Sequence, residues 1–175
     1  MVTIRPARRE DADALGAIHV TAWRSVYAGL VPQGHLDGLS PERSAARWRE
    51  HLPFAPPETC LVAVDPWERP TGFALAGPHR EDQPSGAAEL HSLYVHPEHA
   101  RSGVGTVLLA RTQELLGAAG FVRASLWVLT GDQGARRFYE RCGWSVDGRT
   151  RVDVFDGTPL HETLMTTELL TLEPS

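Results

Sequence analysis

The stretch LYVHPEHARSGVGTVLL, residues 93–109, starts as an apolar strand, passes through a polar loop holding Pro97, and becomes an amphipathic helix that opens on Gly103 and Gly105. A helix start leaves its first main-chain N–H groups unpaired and carries a partial positive charge. Glycines there let a phosphate approach those donors with no Cβ in the way. A GxG at a strand-to-helix turn also occurs as a plain tight turn, and both uses stand at this point. A dinucleotide fingerprint of the form GxGxxG fails, because its third glycine would fall at Leu108.

Upstream, AELHSLYV (88–95) puts Leu93 and Val95 on one strand face, with Leu90 an odd number of residues away. A β-bulge between Leu90 and Leu93 would return Leu90 to the buried face. VTIRP is a short strand, and Leu15, Ile18, Ala22 and Val26 fall at helical spacing behind the acidic Glu10, Asp11 and Asp13. Ser40 as N-cap and Pro41 at the first helical position predict a second helix over Pro41 to His51. CLVAV and TGFALAG are β runs separated by the turn DPWERP.

Downstream, the helix from Gly103 to Ala119 stops at Gly120, and RASLWVL is a strand. Asp132 N-caps a helix over QGARRFYER that ends at Gly143. Two closing β segments follow, GWSVDG to RVDVF and LHETLMTTELL, joined by a DGTP turn. The order is β-α-α-β-β-β-α-β-α-β-β, one mixed α/β domain with no internal repeat. Its parts are helices about 11–51, a core about 60–144 and C-terminal β segments about 144–170.

Composition narrows the function. The 175 residues suit one domain, and no apolar run nears the roughly 18 residues of a membrane span, so the chain is expected to be soluble and cytoplasmic. A net charge of -5 argues against a nucleic-acid binder. Cys60 and Cys142 are too isolated for a disulfide framework or a thiolate metal site. All 17 basic residues are Arg, and the absence of Lys excludes a Walker P-loop and a Schiff-base mechanism. His91, His96 and His99 with Glu89 and Glu98 lack the HExxH spacing, and Pro97 breaks regular presentation, so no metal is expected.

The strand ELHSLYV, the loop and helix start HPEHARSGVG, and the later FYERCGW together resemble the GNAT superfamily of acyl-CoA-dependent N-acetyltransferases, over nearly the whole chain. The resemblance implies an acetyl-CoA cosubstrate whose pyrophosphate meets main-chain N–H groups from Arg101 to Thr106, thus Arg101, Ser102, Gly103, Val104, Gly105 and Thr106. The family's Gln or Arg at the first motif position is Ala100 here, and Arg101 stands beside it. The pantetheine arm would lie along the main chain of Leu93, Tyr94 and Val95 as an added strand does. Ala135 and Phe138 would flank its far side. Asp132, where the family often has Asn, is both a plain N-cap and a possible coenzyme contact.

Acetyl transfer needs a deprotonated amine, a polarised carbonyl and a protonated leaving thiolate. By resemblance Glu89 takes the place of the strand glutamate that some members use as base, and Tyr139 that of the tyrosine that protonates the thiolate. His91 competes with Glu89, because an imidazole with pKa near 6.5 suits a base at neutral pH. The main-chain N–H of Leu93 would polarise the carbonyl. Trp23 and Tyr27, an i, i+4 pair, would wall an amine pocket, and His35, Trp48, Phe155 and His161 lie on the same acceptor-side segments. The acceptor is open among small amines, peptide N-termini and protein lysines, and a homodimer is open too. A catalytically silent acyl-CoA sensor and a transferase of larger acyl groups are the alternatives.

Overall fold

The computed structural model describes residues 2–80, 87–155 and 157–171. Seven strands form one sheet: β1 Thr3–Pro6, β2 Thr59–Val64, β3 Pro70–Pro78, β4 Ala87–Val95, β5 Arg123–Leu129, β6 Ser145–Phe155 and β7 Thr158–Glu168. Their order is β1-β2-β3-β4-β5-β7-β6, antiparallel throughout except where β4 meets β5. The helices are α1 Ala12–Val26, α2 Gln33–Gly38, α3 Pro41–His51, α4 Val104–Ala118 and α5 Gln133–Arg141. The expected order therefore holds with one addition, the short α2. Its six residues, QGHLDG, are too few to show a helical period, and only Leu36 is buried.

Local chemistry sets most boundaries. Ser40 accepts from Arg43 N–H at the start of α3, with Pro41 following. Asp65 accepts from the N–H groups of Trp67 and Arg69 and so closes the DPWERP turn. Helix one begins later than its acidic residues suggest, because Arg9–Asp11 form a 3-10 turn first. Asp11 is drawn inward there, accepting from both ends of the Arg5 guanidinium at 2.8 and 2.9 Å and from Arg8 N–H at 2.7 Å. That pair ties β1 to the start of α1. The DGTP turn includes Asp156, which lies outside the described residues.

Strands β2 and β3 are buried on both faces, as covered inner strands are. Leu61, Ala63, Ala74 and Ala76 face α4, with Leu108, Leu109 and Leu116 of that helix above them. Val62, Val64, Phe73 and Leu75 face the opposite layer, under Leu15 and Ile18 of α1. The small alanines let α4 sit close, while the larger side chains fill the space under α1.

Two features of β4 place the site. Leu75 pairs with Ser92 but Ala76 pairs with Leu90, so His91 is the extra residue of a bulge, inside the predicted interval. Leu90 consequently joins the core beside Leu126 and Val128. The parallel ladder to β5 runs only from Ala87↔Arg123 to Glu89↔Ser125, while β5 stays paired to β7 as far as Leu129. Strand β4 stays on β3 as far as Val95, so the sheet opens between β4 and β5 beyond Glu89.

Candidate active site

The opening is a cavity of about 930 Å³. One wall is β4 from Leu90 to Val95, the other is β5 at Leu126, Trp127 and Val128, and α5 closes the far side with Ala135, Phe138 and Tyr139. Among the described residues β4 has no strand partner along this edge, so its outward main-chain N–H and C=O groups are available to an extended ligand. Leu93 and Val95 are half-buried rather than sealed, since the face that packs on the core also borders the cavity.

At the mouth of the cavity α4 begins. Gly103 is its N-cap with φ +86°, in the left-handed region, and Arg101 also has a positive φ of 60°. None of the main-chain N–H groups from Arg101 to Thr106 donates to a described residue, and no acidic residue occupies the first turn of α4. Ala100, Arg101, Gly103, Gly105 and Thr106 line the cavity. Val104 is buried in the core and Ser102 Oγ donates to the carbonyl of His99 at 2.6 Å, and neither of these two lines the cavity. Gly105 lies where an added Cβ would meet the Phe138 ring at 3.4 Å, which brings α4 and α5 together.

Arg137 and Arg141 of α5 also line this mouth, beside Arg101, and none of the three has an acidic partner among the described residues. Sequence reading missed both. The signal was present: with Asp132 as N-cap, Gly134, Arg137 and Arg141 share one helix face at i, i+3 and i+7. Asp132 lines the cavity as well and caps α5, its Oδ1 accepting from Ala135 N–H at 2.9 Å. His99 lines the cavity as well, whereas His96 Nδ1 caps the 3-10 turn Pro97–His99 by accepting from Glu98 N–H at 3.3 Å.

The candidate bases separate. The Glu89 carboxylate sits between two imidazoles, 3.6 Å from His91 Nδ1 and 3.8 Å from His79 Nδ1, contacts of ion-pair length rather than hydrogen bonds. Arg80 N–H donates to it at 3.2 Å. Burial opposes its ionisation, yet His91, the Arg80 N–H and His79 outweigh that and hold its pKa below the usual carboxylate value. Glu89 lies behind the cavity wall, and His91 forms the wall. The His91 side chain is 3% exposed, and neither ring nitrogen has a hydrogen-bond partner among the described residues.

Tyr139 faces the same space, and burial, followed by the nearby Tyr94 and Asp132, pushes its hydroxyl pKa well above the ordinary tyrosine value. Tyr27 lines the cavity too, and burial, followed by the nearby Tyr94, pushes its hydroxyl pKa in the same direction. Trp23 does not line it: its ring stands edge-on to Tyr27 at 4.8 Å and to His19 at 5.4 Å, a support for the wall rather than its surface. The i, i+4 spacing put both rings on one helix face, but of the two only Tyr27 lines the opening, beside Ala22 and Val26.

An unpaired strand edge ending at a helix start rich in free N–H groups and flanked by arginines defines a site for an extended ligand with phosphate at one end. The comparisons identify the class. The Acetyltransferase (GNAT) family matches residues 22–144. The uncharacterized N-acetyltransferase YuaI of Bacillus subtilis is 33% identical over 129 residues, 74% of this chain and 72% of that protein. The mycothiol acetyltransferase of Clavibacter michiganensis is 32% identical over 136 residues, 77% of this chain but 40% of that protein. The acetyltransferase yncA from Salmonella typhimurium, solved with acetyl-CoA, superposes with a TM-score of 0.73 at 22% identity, covering 100% of this chain and 98% of that one. The chain belongs to the GNAT family and is an N-acetyltransferase. Among the described residues no helix is long and apolar enough to cross a membrane.

Proposed function

We propose that the protein transfers an acetyl group from acetyl-CoA to the primary amine of an acceptor by direct attack in a ternary complex. The observation that carries this reading is the open seam: the unpaired edge of β4 leads to unpartnered N–H groups at residues 101–106. That edge suits an extended amide-bearing arm, and the helix start with Arg101, Arg137 and Arg141 suits its phosphates. The loss of a motif side chain at Ala100 is offset by these three arginines.

In this mechanism His91 takes the proton that the acceptor ammonium must shed, and Glu89 stabilises the imidazolium that results. The neutral amine attacks the thioester carbonyl, whose oxygen takes up charge against the Leu93 N–H. The C–S bond then breaks as the Tyr139 hydroxyl protonates the departing thiolate, the phenolate so formed takes the second proton from the acetylated nitrogen, and His91 returns its proton to solvent. The raised pKa of the Tyr139 hydroxyl keeps its proton in place at every working pH, although it makes Tyr139 a weaker acid. The products are the N-acetyl amine and free coenzyme A.

The test is thiol release from acetyl-CoA across a panel of amines, for the wild type and Tyr139→Phe. Wild-type turnover is expected with at least one amine, and Tyr139→Phe should lower kcat by roughly 10 to 10³ with coenzyme affinity within a few-fold. Tight acetyl-CoA binding with no transfer to any amine would instead identify a silent acyl-CoA sensor.

A further inference from the structure

We propose that a second cavity, on the α1 and α3 side of the sheet, binds an oxyanion, and that the acceptor is a small amine carrying a carboxylate, in the simplest case an amino acid. The role of acceptor rests on the transferase reading above; the anion subsite does not.

This cavity measures about 530 Å³, within the range of small-ligand sites. Its charge is one-sided: Arg43 and Arg47 enter from α3 and Arg80 from the end of β3, against a single acid, Glu58, among the described lining residues. That contrasts with a chain whose net charge is -5. Elsewhere several arginines are matched, as in Arg5 with Asp11, Arg69 with Asp65, Arg123 with Glu168 and Arg151 with Glu162, and the arginines without an acidic partner among the described residues include Arg101, Arg137 and Arg141 at the mouth of the first cavity. Arg47 has no acidic partner among the described residues, and Arg43 donates to the Gly38 carbonyl. Two like charges one turn apart weaken a helix slightly when nothing lies between them, so an anion over Arg43 and Arg47 would relieve a repulsion that the fold retains.

The rest of the lining has a different character. Trp48, Phe54, Val20 and Leu75 give an apolar wall, suited to an aliphatic or thioether side chain. His19, which donates or accepts at Ser44 Oγ over 2.9 Å, is held neutral: burial and then the neighbouring Arg47 lower its pKa to about 4. The arginines therefore carry the positive charge. Ser92 lines both cavities and directly follows His91, which lines the first. An acceptor with its oxyanion on the arginines and its amine at Ser92 would present that amine to the seam.

The experiment compares matched pairs, such as methionine with methioninamide and leucine with leucinamide, by calorimetry on the enzyme–coenzyme A complex and by thiol release from acetyl-CoA. An amide lowers the basicity of its amine, which by itself favours the amide as nucleophile, so a preference for the acid reports the subsite. The acid is expected to bind at least about tenfold tighter, and the double variant Arg43→Gln/Arg47→Gln should erase that difference while coenzyme A affinity is unchanged. Equal or tighter amide binding, no binding of either at millimolar concentration, or a preference that survives the double variant would overturn the proposal. Acid-selective binding without thioester loss would uphold the anion subsite and overturn the acceptor role instead.

Discussion

Replacing Glu89 by Gln removes a charge and nearly keeps a shape, which makes it the sharpest probe of how the amine loses its proton. The carboxylate lies 3.6 Å from His91 Nδ1, and the two side chains are 11% and 3% exposed. At about 4 Å, in an effective dielectric of about 20, a unit charge pair interacts by about 4 kcal/mol. That attraction exists only once His91 has taken the amine proton, so it lowers the transition state and not the resting enzyme. Water in the cavity and the dipole of the new amide retain part of it. A loss of about 1.4 to 3 kcal/mol, roughly 10 to 10²-fold in kcat, is expected near pH 7. Part of the loss should return at high pH, where solvent deprotonates the amine. The assay is steady-state thiol release over a pH series for wild type, Glu89→Gln and His91→Gln. Glu89→Gln within twofold of wild type would refute the coupling. An inactive Glu89→Gln beside an unaffected His91→Gln would make Glu89 the base, acting through water from behind the wall.

Three other outcomes are expected. Gly103 has φ +86° and an added Cβ would enter open space, so Gly103→Val should cost about 1–2 kcal/mol of left-handed strain and weaken coenzyme A binding at least tenfold, read by thermal melts and calorimetry. At Gly16 an added Cβ would meet Ala45 N and Pro41 O at 2.6 Å; Gly16→Ala should part α1 from α3, cost about 1–3 kcal/mol, lower Tm by several degrees and raise the acceptor KM while sparing coenzyme affinity. Burial opposes the ionisation of Asp11, but the Arg5 guanidinium and the Arg8 N–H hold its pKa below the ordinary aspartate value of 3.8. A carboxylate lowered on folding stabilises above its unfolded pKa and ceases to as pH falls through the folded one. Asp11→Asn should therefore lower Tm at pH 7, and its gap from wild type should close below about pH 4.

What residues 93–109 and their flanks determined was local. The start of α4 at the glycine pair, the caps at Ser40 and Asp132, the full span of α3 and the bulge between Leu90 and Leu93 all depend on neighbours within a few positions. Periodicity and capping carry that information along the chain. The tertiary structure decided everything that depends on which strands stop pairing. It inserted β7 between β5 and β6, ended the β4–β5 ladder at Glu89, and so put His91 on the cavity wall and Glu89 behind it. It turned Tyr27 inward and left Trp23 in support, gathered Arg101, Arg137 and Arg141 from two helical regions, and set Arg43 and Arg47 opposite Arg80. These groupings join residues tens of positions apart through sheet twist and helix docking. No local pattern encodes them, because a cavity is the space left where long-range contacts end.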